Sequence, residues 1–351
     1  MTLILAVAME RPRARTPWLA ASVFTFVGLL RMRLAQPGPS AFSRERMDSV
    51  LAMCTAALLV GTVLAQRGLQ PDPPVACDSC VAWNGPQLPF KVFGNTFFVG
   101  TAGLSSVLIT SPGGLVLLDG ALPQSAPEID AHIRALGFRT EDVRLILVSH
   151  VHFDHVGGIH ALQALSGARV VASASASQAL ARGNLLPDDP QFGLGLTSTR
   201  FPAVDGAASV KDGETVRVGT LAVTAHLTPG HTPGSTTWTW NSCEGARCVN
   251  VVYADSLNAV SADGFRFTGD ATHGSIEASF RKSISIVERL PCEILITVHP
   301  EFSQVFEKLA QRIQHPETNP FVNAGACRAY AASARATLDG RVMAERSGKA
   351  R

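Results

Sequence analysis

The hydrophobic pattern of this 351-residue chain consists mostly of short apolar runs bounded by glycine, proline and other turn-forming residues. Runs of this kind predict β-strands. In the first half of the chain, strands are predicted within 88–99, which turns at Gly94-Asn95, and at 105–109, 115–118, 143–148 and 169–172. In the second half, they are predicted at 214–218, 221–227, 235–240, 249–253 and 293–298.

Amphipathic segments lie between these runs. Their apolar spacing predicts helices at 127–136, 159–165 and 175–181, and two more helices after residue 299. Another helix is predicted by a set of apolar residues on one helical face: Ile276, Phe280, Ile284, Val287 and Leu290. Strands followed by helices, twice over, predict two βα halves whose sheets pack face to face with the helices outside. Residues 183–205 form a Gly- and Pro-rich connection, and loops of this length are usually functional or disordered.

Four polar residues follow one of the apolar runs directly. After residues 145–148 come His150, His152, Asp154 and His155, and then a Gly-Gly turn. Imidazoles two residues apart on an extended segment point to the same side, so His150 and His152 can share one metal. Asp154 and His155 follow as the chain turns, and they can face a second metal beside the first. One histidine on an apolar strand is usually a satisfied core residue, but this combination of ligands predicts a metal site and suits zinc.

Two further histidines lie at the end of an apolar strand. His231 sits between two Pro-Gly pairs after the run 221–227, and His299 follows the run 293–298. Either one alone would be interpreted as a solvent-facing residue. A site for two metals, however, needs more ligands than one loop supplies. We therefore add His231 and His299 to the predicted ligands.

The composition is that of a globular protein with a distinct N-terminus. The whole chain is 46% hydrophobic with a formal charge of +2, yet residues 1–65 contain seven arginines and only three acidic residues. The remainder is therefore slightly acidic, which excludes a basic nucleic-acid-binding surface. The apolar run 50–64 ends in small residues, and this predicts a signal peptide cleaved near Ala65 and a periplasmic protein with no stable membrane association. A membrane anchor is the alternative, but a spanning helix needs about 20 apolar residues.

The predicted organisation is an N-terminal extension with the signal peptide (1–65), a Pro-rich arm (66–85), one domain (86–340) and a tail (341–351). Six cysteines follow the predicted signal peptide, and an even number in an exported protein indicates disulfides. Local spacing favours a bond between Cys243 and Cys248 that closes a tight loop after a strand. A bond between Cys292 and Cys327 would join the last strand to the C-terminal helices. Cys77 and Cys80 form either a bond or two free thiols.

These motifs resemble the metallo-β-lactamase superfamily. The pattern H-x-H-x-D-H at 150–155 is typical of it, and the sequences at 227–234 and 253–257 resemble class B β-lactamases of the third subclass. The resemblance extends from about residue 83 to residue 330, and it implies an αββα sandwich with helices outside two facing mixed sheets. Relatives that have a cysteine equivalent to Cys77 pair it with one after the strand 96–100, where this chain has Ala102.

The same resemblance implies the roles of the site residues. It assigns His150, His152 and His231 to a first zinc, and Asp154, His155 and His299 to a second. Ser256 stands where the first subclass has a cysteine ligand, and it would hydrogen-bond a zinc-bound water. Asn258 and Gln191 match positions near the substrate carboxylate and on the active-site loop.

The function implied is hydrolysis of the amide bond of penicillins, cephalosporins and carbapenems by a zinc-bound hydroxide that Asp154 orients, in a monomer that confers β-lactam resistance. Two alternatives remain. One is another hydrolase of the superfamily, a lactonase or a thioester hydrolase of the glyoxalase II type, in which Asp255 would bridge both metals. The other is a non-catalytic zinc-binding module, which would need a site closed by protein ligands.

Overall fold

The computed structural model describes residues 68–348, which form two facing β-sheets. The first sheet has seven strands in sequence order: β1 (Phe90–Phe93), β2 (Thr96–Phe98), β3 (Val107–Ser111), β4 (Gly114–Leu118), β5 (Val143–Leu147), β6 (Arg169–Ser173) and β7 (Ala208–Val210). Strands β1 to β4 are antiparallel, and β4 to β7 are parallel.

The second sheet has five strands in the order β12-β11-β10-β9-β8. They are β8 (Thr215–Val218), β9 (Leu221–Leu227), β10 (Thr236–Glu244), β11 (Arg247–Ala254) and β12 (Ile294–Thr297). Only the pair of β11 and β12 is parallel. Both sheets are therefore mixed, as the sequence analysis predicts.

Nine α-helices lie among the described residues: α1 (Cys80–Trp83), α2 (Ala126–Ala135), α3 (Phe153–Val156), α4 (Ile159–Ser166), α5 (Ala174–Arg182), α6 (Leu196–Thr199), α7 (Glu277–Arg289), α8 (Val305–Gln314) and α9 (Ala326–Arg346). Short 3₁₀ turns span Pro123–Ser125, Thr140–Asp142, Phe192–Leu194 and Pro300–Ser303. Between residues 68 and 348, no helix is both long enough and apolar enough to cross a bilayer.

Three apolar clusters hold these layers together, and β5 shows why. Leu145 and Leu147 belong to the cluster between the two sheets, whereas Ile146 and Val148 belong to the cluster beneath α2, α4 and α5. Successive side chains of a strand point to opposite faces, so a strand covered on both sides must be apolar throughout. A third cluster packs the outer face of β11 and β12 against α7 and α9. The αββα sandwich is thereby confirmed.

Several local predictions need correction. The hairpin of β10 and β11 is longer than predicted, and Cys243 lies directly opposite Cys248 within it. Their disulfide therefore crosses two paired strands instead of closing a loop after a strand. Strand β7 was not predicted, because three residues carry too little pattern. The arm contains α1, and Cys77 is bonded to Cys80 there. Cys292 is bonded to Cys327, joining the start of β12 to α9.

The predicted boundary at residue 340 falls inside α9, which continues to Arg346. The reason is burial, since Val342 and Glu345 are both only 2% exposed and pack against the domain. Residues 341–348 are therefore part of the domain and not a tail. The predicted signal peptide and its cleavage site near Ala65 lie outside the described residues.

Candidate metal centre

The predicted ligands meet at one edge of the sandwich because each follows the carboxyl end of a strand. His150 follows β5, His231 follows β9 and His299 follows β12. Asp119, which follows β4, connects the segment after β5 with strand β11. It accepts hydrogen bonds from the Ser149 amide (2.8 Å), the Ser149 hydroxyl (2.6 Å) and the Tyr253 hydroxyl (2.8 Å). These contacts fix the segment that leads into His150.

Three buried histidines form the first cluster: His150, His152 and His231. Their candidate ligand atoms all lie within 4.8 Å of one another. The ring centroids are 4.7–4.8 Å apart in each pair. Burial lowers the pKa of His231 to about 3 and also lowers the pKa of His150, so both imidazoles are neutral and can act as ligands.

The second cluster consists of Asp154, His155 and His299. The Asp154 Oδ2 atom lies 3.2 Å from His155 Nε2 and 3.4 Å from His299 Nε2, and the two nitrogens are 3.3 Å apart. Burial acts to raise the pKa of Asp154, but the adjacent His155 and His299 outweigh it and hold that pKa well below its usual range. An ionised carboxylate and two imidazole nitrogens therefore converge on one point.

The hydrogen bonds around the clusters test whether the residues fit a metal. His150 Nδ1 lies 2.6 Å from Asp255 Oδ1, and His150 Nε2 is buried without a hydrogen-bond partner in the described part of the chain. In the same way one ring nitrogen of His152 contacts Asp189 Oδ1 (3.3 Å), and one of His231 contacts the Asn258 carbonyl oxygen (2.9 Å).

Metal-binding histidines commonly donate their second ring N–H to a carboxylate or a carbonyl, which fixes the tautomer and the ring orientation. His299 follows the pattern as well, with Nδ1 3.1 Å from the Gly103 carbonyl oxygen. Each of these four rings thus turns one nitrogen outward to an acceptor and the other inward. Because nitrogen and carboxylate donors together suit zinc, the residues fit this ion.

Comparisons with known proteins agree with this geometry. The metallo-β-lactamase superfamily profile matches residues 100–244. The Rm3 metallo-β-lactamase is 50% identical, with a TM-score of 0.74, and the match covers 77% of this chain and 99% of that one. The chain belongs to the metallo-β-lactamase superfamily.

Other members of the superfamily are also similar. MEM-A1, a subclass B3 metallo-β-lactamase from a soil metagenome library, is 46% identical with a TM-score of 0.73, and the match covers 76% of this chain and 100% of that one. A hydroxyacylglutathione hydrolase of Methylobacterium nodulans is 41% identical over 108 residues, which are 30% of this chain. This match spans only 32% of that hydrolase, about a third of its length. The protein is thus a hydrolase of the superfamily, and its histidine-rich clusters imply a divalent metal ion.

A cavity of about 220 Å³ opens onto both clusters of this superfamily hydrolase. The predicted residues Ser256, Asn258 and Gln191 line it. The Gln191 amide nitrogen lies 3.5 Å from His231 Nε2, and the Asn258 carbonyl holds the same ring from the other side. Ser256 is 2% exposed and faces the cavity beside the clusters. These three residues therefore line the same cavity as members of both clusters.

Sequence reasoning missed the residues that hold the ligands in place. Asp119, Asp189 and Gly103 carry no motif. Asp119 nevertheless follows β4 just as His150 follows β5, and a polar residue in this position is a usable signal. Trp83 of α1 also lines the cavity, and its ring centroid is 5.3 Å from that of His299. The segment expected to be a linker thus contributes a wall of the site.

Proposed function

We propose that this protein is a zinc-dependent β-lactamase that hydrolyses the amide bond of penicillins, cephalosporins and carbapenems. The observation that carries the proposal is a pair of ligand clusters that open onto one cavity. One cluster has three histidines, and the other has one aspartate and two histidines. Identity of 50% to Rm3 over 99% of its length supports the same activity. We further propose two zinc ions per chain, with the first at His150, His152 and His231.

When bound, such ions supply Lewis acidity and lower the pKa of a coordinated water to about 7. The residues of this chain would do the rest. Asp154, ionised at neutral pH, accepts a hydrogen bond from the attacking water and orients it. The Ser256 hydroxyl is a donor beside the clusters, and the Asn258 and Gln191 amides line the same cavity. These neutral donors suit the carboxylate that β-lactams carry next to the lactam nitrogen.

The position of Asp255 weighs against a thioester hydrolase of the glyoxalase II type. That activity would require Asp255 to bridge both metals, yet its Oδ1 atom is held by His150 Nδ1 at 2.6 Å. Asp255 belongs to neither cluster, and burial raises its pKa to about 8. It supports the outer face of His150 instead. A purely structural zinc module is disfavoured because the cavity gives access to both clusters.

We also propose that the mature enzyme is a periplasmic monomer, beginning near Gln66 after removal of the predicted signal peptide. In the periplasm it would meet β-lactams before they reach their targets, and so confer resistance. An oxidising compartment also suits the three disulfides between residues 77 and 327.

The decisive experiment uses purified residues 66–351 loaded with zinc. We expect hydrolysis of a carbapenem, measured as the loss of its ultraviolet absorbance. We expect little activity toward S-lactoylglutathione. Asp154→Asn should lower kcat by about 10²–10⁴-fold, because the attacking water loses its orienting base. His160→Ala is the matched control, since His160 is exposed and lies outside both clusters. Thioester hydrolysis without carbapenem hydrolysis would refute the proposal.

A further inference from the structure

A second cavity, of about 270 Å³, lies directly behind the proposed active site. It is bounded by the turn Pro300–Ser303, α8 and α9, and it shares two lining residues, Asn258 and Phe302, with the metal-site cavity. Among residues 68–348, no side chain with a carboxylate lines this second cavity, and Lys308 is the one cationic residue in its wall.

Lys308 lies in α8 and is only 9% exposed. Within residues 68–348, its ammonium group has neither a hydrogen-bond acceptor nor an ion-pair partner, whereas buried lysines are normally paired. Burial lowers the pKa of Lys308, and the adjacent Glu307 only partly opposes this. The lysine stem is buried, whereas the ammonium group reaches the cavity and is open to a ligand there.

Polar groups in the same wall suit a negatively charged ligand. Asn323 uses its side-chain oxygen to accept a hydrogen bond from the Gly325 amide (2.9 Å), which leaves its NH₂ group as a donor. Ser333 of α9 and Gln304 also line the cavity. Their side chains make no hydrogen bond among the described residues, so both are free to contact a ligand. A cation with neutral donors around it matches the charge and the lone pairs of a small oxoanion.

We propose that this cavity binds a small carboxylate, paired with the Lys308 ammonium. The carboxylate has two possible sources. One is a free anion from the medium, and the other is a carboxylate on a molecule that occupies the metal-site cavity and reaches past Asn258 and Phe302. The second source rests on the proposed β-lactamase function, whereas the first does not.

Binding is tested on the zinc-loaded chain 66–351 with acetate as the probe, at constant ionic strength. Acetate at several times its Kd should raise the melting temperature by about 2–4 °C. Lys308→Met should abolish this rise or weaken acetate binding at least tenfold, and Lys308→Arg should retain it. Lys211→Met, which removes an exposed lysine, should respond to acetate as the unchanged protein does. An equal rise in Lys308→Met, or no rise in any of the proteins, would overturn the proposal.

Kinetics then distinguish the two sources. If the substrate supplies the carboxylate, Lys308→Met should raise KM for a dicarboxylate β-lactam several-fold with kcat unchanged, and acetate should compete with that substrate. If a free anion is bound, KM should not change while the acetate-dependent melting shift remains specific to Lys308. Because the melting experiment needs no turnover, failure of the β-lactamase proposal would leave the test of the anion site intact.

Discussion

At the scale of single residues, the site is organised by acceptor groups that contact the candidate ligands directly. The Asp255 carboxylate, the Asp189 carboxylate and the Gly103 carbonyl each hold one ring nitrogen of a histidine. Gly103 is itself constrained, because a Cβ at this position would lie 2.5 Å from Cδ1 of Trp83. The orientation of His299 therefore depends on an arm that lies far from it in the sequence.

Replacing His299 by alanine tests the proposed second zinc. His299→Ala should lose about one equivalent of zinc and retain the other, because the three-histidine cluster uses none of its atoms. Metal analysis of the purified variant measures this directly, and His160→Ala serves as the control. Two full equivalents retained in His299→Ala would remove His299 from the ligand set.

Asp255→Asn tests the support behind His150. The amide keeps the shape of the side chain but replaces one carboxyl oxygen with an NH₂ group, so the variant side chain would accept less well from His150 Nδ1 and hold the ring less firmly. We expect zinc affinity to fall by about 10–100-fold, as measured by competition with a chelator. Asp270→Asn is the comparison, since Asp270 lies outside both clusters. Unchanged affinity in Asp255→Asn would show that the 2.6 Å contact does not tune the ligand.

At the scale of elements, the last turns of α9 anchor a loop beside the active site. The Glu345 carboxylate accepts hydrogen bonds from the amides of Phe267 (3.0 Å) and Thr268 (2.9 Å), and from Arg341 Nε (2.6 Å). The same loop reaches the segment that contains Gln191, because the Ala262 amide donates to the Pro190 carbonyl (2.8 Å). The C-terminal helix thereby supports one wall of the site.

Glu345→Gln should destabilise the protein by about 1–3 kcal/mol at pH 7, because one acceptor oxygen becomes a donor that faces other donors. Burial acts to raise the pKa of Glu345, but the hydrogen bonds outweigh it and lower that pKa below its ordinary value of 4.5. A lowered carboxyl pKa stabilises the fold above about pH 4.5 and ceases to do so as the pH falls through the folded-state value.

The difference in melting temperature between Glu345→Gln and the unchanged protein should therefore be full at pH 7 and shrink below about pH 4. Melting curves across this range measure it. Glu317→Gln, which alters an exposed carboxylate, should show no such difference at any pH. A Glu345→Gln effect that is independent of pH would contradict the charge-based explanation.

At the scale of the whole molecule, the disulfide bonds contribute to the stability of the chain. The bond between Cys292 and Cys327 closes a segment of 35 residues, whereas that between Cys243 and Cys248 closes only five. A longer closed segment restricts the unfolded chain more, and 35 residues correspond to about 3–4 kcal/mol on the chain-entropy account.

Cys292→Ser with Cys327→Ser should therefore lower the melting temperature more than Cys243→Ser with Cys248→Ser. The first pair should also weaken zinc retention, because β12 leads into His299. Calorimetry and metal analysis of both double variants make the comparison. Equal losses of melting temperature would indicate that strand pairing around Cys243, and not chain entropy, governs the effect.

The proposed signal peptide gives a further prediction. If residues 50–64 are a signal peptide, the mature protein recovered from the periplasm should begin near Gln66. N-terminal sequencing after fractionation checks this. A membrane-bound protein that still begins at Met1 would favour the anchor instead.

The apolar pattern of the sequence predicted most of the strands and the longer helices, and the placement of histidines predicted the six candidate ligands. Those predictions depend on local information, namely the period of apolar residues and the placement of histidines directly after apolar runs. Even the fold class follows, because strands buried on both faces, such as β5, can be stable only between two layers.

Packing of the two sheets and their loops determines which groups orient those ligands and which surfaces adjoin them. His150 and Asp255 are separated by 105 residues, and His299 and Gly103 by 196. No local pattern encodes such pairs, because each contact exists only after both sheets and their loops have packed. The same holds for the Glu345 anchor and for Lys308, whose unpaired ammonium becomes apparent only when α8 lies beside α9. Spacing along the chain determines which chemistry is available, and packing determines where each group points.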